Sequence, residues 1–104
     1  MAYAIVITQR AANEIRQTID YIASNAPSSA TTWGINIKAA IKSLEESPLR
    51  SPAIPENNRF KADYRHLIHK SHRIIFRVDE AKHRVIIVRV YHTSRRPLRS
   101  KDLP

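Results

Sequence analysis

The run Arg89-Val90-Tyr91-His92 combines residue types that phosphodiester chemistry uses. An imidazole can move a proton at the ester, and a guanidinium stabilises charge that builds on phosphorus. A second arginine, Arg73, lies on the preceding apolar segment, where Arg73, Ile75 and Arg77 alternate with Ile74, Phe76 and Val78. On a period of two, Ile74, Phe76 and Val78 on one segment and Ile86, Val88 and Val90 on the next are expected to face the core. If the hairpin pairs Val78 with Arg84, then Ile75 opposes Ile87 and Arg73 opposes Arg89. Like charges across a strand pair repel, so this arrangement makes sense with an anion held between them. The alternative is that the arginine stems cover the open sheet face while their heads reach water. His92 shares parity with Val90 and must turn at the strand end to join Arg89; otherwise it is a structural histidine bonded to a backbone carbonyl. His66, His69, His72 and His83 lack convincing ligand spacing, and His69 and His72 flank a turn without acidic or cysteine partners, so no metal is expected. With a single glycine there is no glycine-rich phosphate loop, and no cofactor is expected.

The elements that must position these residues follow from periodicity. Tyr3 to Ile7 reads as a buried strand, rich in β-branched residues. Thr8 can cap a helix whose stripe is Ala12, Ile15, Ile19 and Ile22, ending near Asn25-Ala26-Pro27. Ser28 or Ser29 can cap a second helix with the stripe Trp33, Ile37, Ile41 and Leu44, closed by Pro48. Ile35 lies opposite that stripe beside the unusual interior Gly34, so it is either a contact point for another chain or a singly exposed isoleucine. Pro48, Pro52 and Pro55 make the stretch from Ser47 to Arg59 one ordered loop. Three strands are predicted at about Asp63 to His69, His72 to Val78 and Arg84 to His92. The fold class is α+β, in the order β-α-α-β-β-β, with a helical hairpin packed on one face of a small, mostly antiparallel sheet. Residues 1–94 are expected to form the single domain and residues 95–104 a basic, flexible tail.

Charge is distributed unevenly over the 104 residues. Through Ser47 four basic residues balance four acidic ones, whereas from Pro48 onward fourteen Lys and Arg face five Asp and Glu, giving the whole formal excess of +9. That asymmetry favours an anionic partner: nucleic acid, an acidic protein or a membrane surface. With 42% hydrophobic and 26% charged residues the chain reads as one folded domain. Cysteine is absent, excluding a disulfide framework and a thiolate metal site. No apolar run is long enough to span a bilayer and no export signal is visible, so a cytoplasmic protein is expected.

Several phrases, taken in order, resemble the RelE/ParE superfamily of toxins. They are Ile7-Thr8-Gln9-Arg10-Ala11, then Ile19-Asp20-Tyr21-Ile22-Ala23, the proline-rich loop, Tyr64-Arg65, His72-Arg73-Ile74-Ile75-Phe76-Arg77-Val78, and Val88-Arg89-Val90-Tyr91-His92-Thr93-Ser94-Arg95. The resemblance spans nearly the whole chain. It implies a growth-inhibiting toxin, neutralised by a cognate antitoxin whose acidic, extended C-terminal segment wraps it. Two branches of the superfamily offer different targets. RelE-like and YoeB-like members cut mRNA on the ribosome, and for that branch the implied catalytic set is Glu56, Arg65, Arg73, Arg89, Tyr91 and His92. ParE-like members poison DNA gyrase without known hydrolysis, and target contact would then fall to Arg73, Arg77, Arg89, Arg95 and Arg96. The long helical hairpin, Tyr64-Arg65-His66-Leu67 and the ending His92-Thr93-Ser94-Arg95 lean towards ParE. The dense lysines of RelE-like enzymes are missing, with only Lys61 and Lys70 near the second strand. A nucleic-acid-binding module with no toxic role explains the charge but not the succession of phrases.

Overall fold

The computed structural model describes residues 2–57 and 63–104; Arg59 and Lys61 lie outside them. Along the chain the elements are β1 (Ala4–Ile7), α1 (Gln9–Ala23), α2 (Pro27–Ser43), a 3-10 turn (Pro48–Arg50), β2 (Arg65–His69), β3 (His72–Asp79), β4 (Arg84–His92) and a second 3-10 turn (Ser100–Asp102). The predicted α+β class and the order β-α-α-β-β-β are what the fold shows. The sheet runs β1-β4-β3-β2, with β1 parallel to β4 and the remaining pairs antiparallel.

Thr8 caps α1 through its side-chain oxygen, which accepts the Ala11 N–H at 3.3 Å. No serine caps α2. Pro27 occupies its first turn, where a residue without an N–H costs nothing, and Ala26 precedes it without a side-chain cap. Trp33, Ile37, Ile41 and Leu44 are buried as their spacing predicts, and Ile15, Ile19 and Ile22 pack against the same core. Gly34 lets the two helices close up: a Cβ there would lie 3.3 Å from Ile19 Cδ1. Ile35, on the opposite side, is exposed.

Besides the missing serine cap, three expectations about the fold need correction. The first strand is not buried. As the edge of the sheet it has one neighbour, and Val6 and Ile7 remain exposed.

The second correction concerns register. Asp79, not Val78, pairs with Arg84, because the Asp79 carboxylate accepts the Lys82 N–H and bonds Arg84 at 3.2 Å across the turn. A β-bulge then falls between Ile75 and Phe76 of β3, which pair with Arg89 and Ile87, so Val88 is the extra residue on β4. One shift and one bulge reverse the parity of the first half of β4. Val85, Ile87 and Val90 join Ile74 and Phe76 under the helices, while Ile86, Val88 and Tyr91 join Ile75 on the other face.

The third correction concerns the C-terminal segment, which docks on that second face instead of hanging free. Leu98 and Leu103 are buried beside Ile54, Tyr64, Ile86, Val88 and Tyr91, and the Tyr64 hydroxyl donates to the Pro104 carbonyl at 2.8 Å. The proline-rich loop supplies Ile54 to the same core and joins β2 through a bridge between Ala53 and Arg65. The sheet is therefore covered on both faces, by helices on one and by loop and C-terminal strap on the other.

Candidate functional site

The register decides which candidate residues meet. Arg73 opposes Tyr91 and Arg89 opposes Ile75, so the two arginines are not a cross-strand pair. Each has its own carboxylate. Arg73 donates from Nη1 and Nη2 to Glu56 at 3.0 and 2.8 Å, and from Nε to His66 Nδ1 at 3.2 Å. Glu56 also accepts the Leu98 N–H at 3.0 Å. The guanidinium hydrogen bonds of Arg73, together with that backbone N–H, hold the Glu56 carboxyl down to about 2 despite its burial. Such a group is neither a base nor an acid near neutral pH. Burial and the adjacent Arg73 charge likewise lower His66.

Arg89 is 4% exposed and held from two sides. Its Nη2 and Nε bond Glu14 of α1 at 2.6 and 3.0 Å, and its Nη1 donates to the Asp102 carbonyl at 3.1 Å. Glu14 also accepts the Val90 N–H at 2.9 Å, on the β4 edge beyond the last residue paired with β1. Asp102 bonds Arg96 at 2.7 and 3.2 Å and the Arg99 N–H at 2.7 Å, and these donors hold its carboxyl well below the usual range. The Tyr91 hydroxyl donates to the Arg96 carbonyl at 2.9 Å, and its ring lies 5.0 Å from Arg89 and 5.7 Å from Arg95. Arg65 donates to the carbonyls of Leu49 and Ser51 at 3.1 and 2.7 Å and braces the proline-rich loop. Arg77 makes no ion pair among the described residues and lies close enough to Tyr64 for its charge to act on that hydroxyl.

His92 is elsewhere. It keeps the parity of Val90 and lines a groove of about 650 Å³ on the helix side, with Trp33, His72, Lys70 and Arg95 among the other walls. The His72 ring packs edge-on against Trp33 at 5.3 Å and against His92 at 5.0 Å. His92 Nδ1 accepts the Ser94 N–H at 3.0 Å, so the neutral ring carries its proton on Nε2. It bonds a backbone N–H where a carbonyl was expected. His72 is driven down, first by burial and then by the neighbouring His92, His69 and Arg95.

The candidate set thus divides across the sheet. Glu56, Arg73 and Tyr91 belong to the strap side, Arg65 pairs with Phe76 on the helix-side parity and reaches out to the proline-rich loop, His92 belongs to the groove, and Arg89 is clamped between Glu14 and Asp102. Sequence reasoning passed over Glu14 and Asp102, and it read Trp33 as core alone and His72 as a histidine without ligand spacing. A glutamate beside the apolar stripe of α1, and an aspartate between Leu98 and Leu103, were the only available signals. Among the described residues no group of three His, Cys, Asp or Glu is placed to hold a metal ion. Among them, too, no helix is long and apolar enough to cross a membrane.

Known structures share this architecture. A toxin–antitoxin structure described as the chromosomal ParDE system of P. aeruginosa matches with a TM-score of 0.74 at 18% identity, over 89% of this chain and 98% of that one. The RelBE2 toxin–antitoxin complex of Mycobacterium tuberculosis follows at 0.61 and 20%, over 88% and 99%. A mutant of E. coli RelE in the free state gives 0.56 and 21%, over 90% and 86%. Identities this low establish the fold alone. No curated protein gives a significant match. The model of the ParE toxin of type II toxin–antitoxin systems matches residues 5–97, which takes in both helices, all four strands and the start of the strap. Fold and family model agree, and the chain belongs to the ParE toxin family of type II toxin–antitoxin systems.

Proposed function

We propose that this toxin inhibits growth by binding and poisoning DNA gyrase, not by cutting mRNA, and that a cognate antitoxin with an acidic C-terminal segment neutralises it. One observation supports the choice of target: the residues a nuclease would need are divided between the strap face and the groove, with Glu56 and Arg73 committed to each other and Arg89 to Glu14 and Asp102. A phosphodiesterase needs a proton donor, a proton acceptor and a cation within reach of one phosphate. A poison needs only a surface. Arg77, Arg95 and the partly exposed Arg96 are assigned to target contact, whereas Arg73 and Arg89, held internally, are not. For the antitoxin, the exposed apolar residues Val6, Ile7, Tyr21 and Ile35 supply footholds on the β1 edge and the helical hairpin.

Expression of the chain alone is expected to arrest bacterial growth, and coexpression with the antitoxin to restore it. Purified toxin is expected to block gyrase-dependent supercoiling and to leave mRNA on translating ribosomes intact. His92→Gln, still folded, is expected to retain that block to within about threefold, where loss of a proton-transfer group would cost roughly a hundredfold. Normal supercoiling together with His92-dependent cleavage of mRNA would overturn the proposal.

A further inference from the structure

The docked strap turns its residues in two directions. Leu98, Asp102 and Leu103 face inward and are buried, while Arg95, Arg99 and Lys101 are exposed. Asp102, the single carboxylate side chain from Thr93 to the end of the chain, is spent on Arg96, Arg89 and the Arg99 N–H. What remains outside on this segment is three exposed cations, Arg95, Arg99 and Lys101. Among the described residues neither Arg95, Arg99 nor Lys101 makes an ion pair. Docking has ordered their backbone in advance, which lowers the entropy lost on binding.

We infer that Arg95, Arg99 and Lys101 together form a ridge that binds the phosphate backbone of duplex DNA. The argument for DNA over an acidic protein is what the ridge lacks. Among the described residues the exposed large hydrophobic ones are Val6, Ile7, Tyr21, Ile35, Leu49 and Ile68, none of them on the strap. A protein interface requires an apolar centre, whereas phosphate contacts are made by cations and read no sequence. The choice of duplex DNA rests on the gyrase reading, since gyrase works on a duplex and a poison held there can grip the DNA and the enzyme together.

The test is fluorescence anisotropy of a labelled duplex of arbitrary sequence with the full chain, from about 50 to 200 mM salt. Arg95→Gln, Arg99→Gln and Lys101→Gln in one chain are expected to make the log–log salt slope shallower by about 2.7, at roughly 0.9 per phosphate contact. Affinity at about 100 mM salt is expected to fall by more than tenfold. A control with the same charge loss on the helices, Arg16→Gln with Lys38→Gln and Lys42→Gln, is expected to keep the original slope. Thermal melting of both variants checks that these exposed substitutions leave the fold intact. An unchanged slope in the strap variant, or equal losses in strap and control, overturns the inference. So does a strap variant that binds duplex normally yet loses association with purified gyrase or antitoxin, which would make the ridge a protein contact. Supercoiling is read separately: inhibition without strap-dependent duplex binding keeps the gyrase reading and removes this one, and the converse removes only the gyrase reading.

Discussion

The two faces of the sheet are built from the same residue types with opposite outcomes. On the strap side the buried cations are consumed, Arg73 by Glu56 and Arg89 by Asp102 together with Glu14, while Arg96 gives part of its guanidinium to Asp102 and stays partly exposed. On the helix side His72, His92 and Lys70 line an open groove, and the one carboxylate among the described residues of its walls, Glu14, is turned to Arg89 and the Val90 N–H. Basic residues in a sequence therefore say little about binding until their carboxylates are located. In this chain the buried arginines act as mortar between layers, and the exposed Arg95 and Arg99 at the strap's surface make no ion pair among the described residues.

The strongest way to break that contrast is to remove one member of a strap-side pair. Arg73→Met leaves Glu56, 7% exposed, without its cation, and is expected to cost about 3–5 kcal/mol, as for other buried pairs broken on one side. Joining it to Glu56→Leu is expected to recover most of the loss, because an apolar replacement of the whole pair leaves no uncompensated charge. Urea unfolding of the two variants beside the original chain measures both numbers. A single-variant loss below about 1 kcal/mol would mean that the pair is solvated and that Arg73 is available for target contact after all.

Acid attacks the same lattice without mutation. The Glu56 carboxyl lies at about 2 in the folded chain against 4.5 ordinarily. A depressed carboxylate contributes stability that is complete above its unfolded value and lost as pH falls through its folded one. At about 1.36 kcal/mol per unit, the contribution is on the order of 3 kcal/mol, lost between about pH 4.5 and 2. Asp102, lowered by Arg96 and the Arg99 N–H, loses its contribution in the same direction. Hydrogen exchange is expected to show strap amides such as Leu98 losing protection in that window before the amides of α2. Simultaneous loss would merge the strap and the helix-side core into one unit of stability.

Much of the scaffold was legible because its signals are periodic. The α2 stripe and the bounds of β3 and β4 follow from spacing alone, each strand ending within a residue of its expected limit. The bulge was not legible. Val85 to Val88 is apolar at every position, so hydrophobicity assigns neither parity to a face, and register was settled by Asp79 reaching Lys82 and Arg84 across the turn. That single offset separated Arg73 from Arg89 and put Val88 and Tyr91 under the strap. The strap itself was hidden by its arginines and prolines, which read as a loose tail, although Leu98 and Leu103 flanking Asp102 already held the pattern of an anchored segment. Glu14 sat beside an apolar stripe, and no local signal could name a partner as distant in the chain as Arg89.

The smallest effect is expected on the helix side, at His72. Its Nδ1 is buried without a hydrogen-bond partner among the described residues, while its ring contacts Trp33 and His92. His72→Phe keeps an aromatic ring at that place and removes the stranded nitrogen. At pH 8 the variant is expected to be equal to or up to about 1 kcal/mol more stable than the original, since an unsatisfied buried polar atom is costly. The pH dependence gives the sharper reading. Burial, then the charges of His92, His69 and Arg95, push His72 below its ordinary 6.5. With its folded value under its unfolded one, the neutral ring stabilises the fold above about pH 6.5, and that contribution declines as acid protonates the unfolded chain. The original chain is therefore expected to lose stability on passing from pH 7 to 5, and His72→Phe to lose less. Parallel declines in the two chains would remove His72 as the titrating group and leave the groove, unlike the strap face, indifferent to the charge of its own walls.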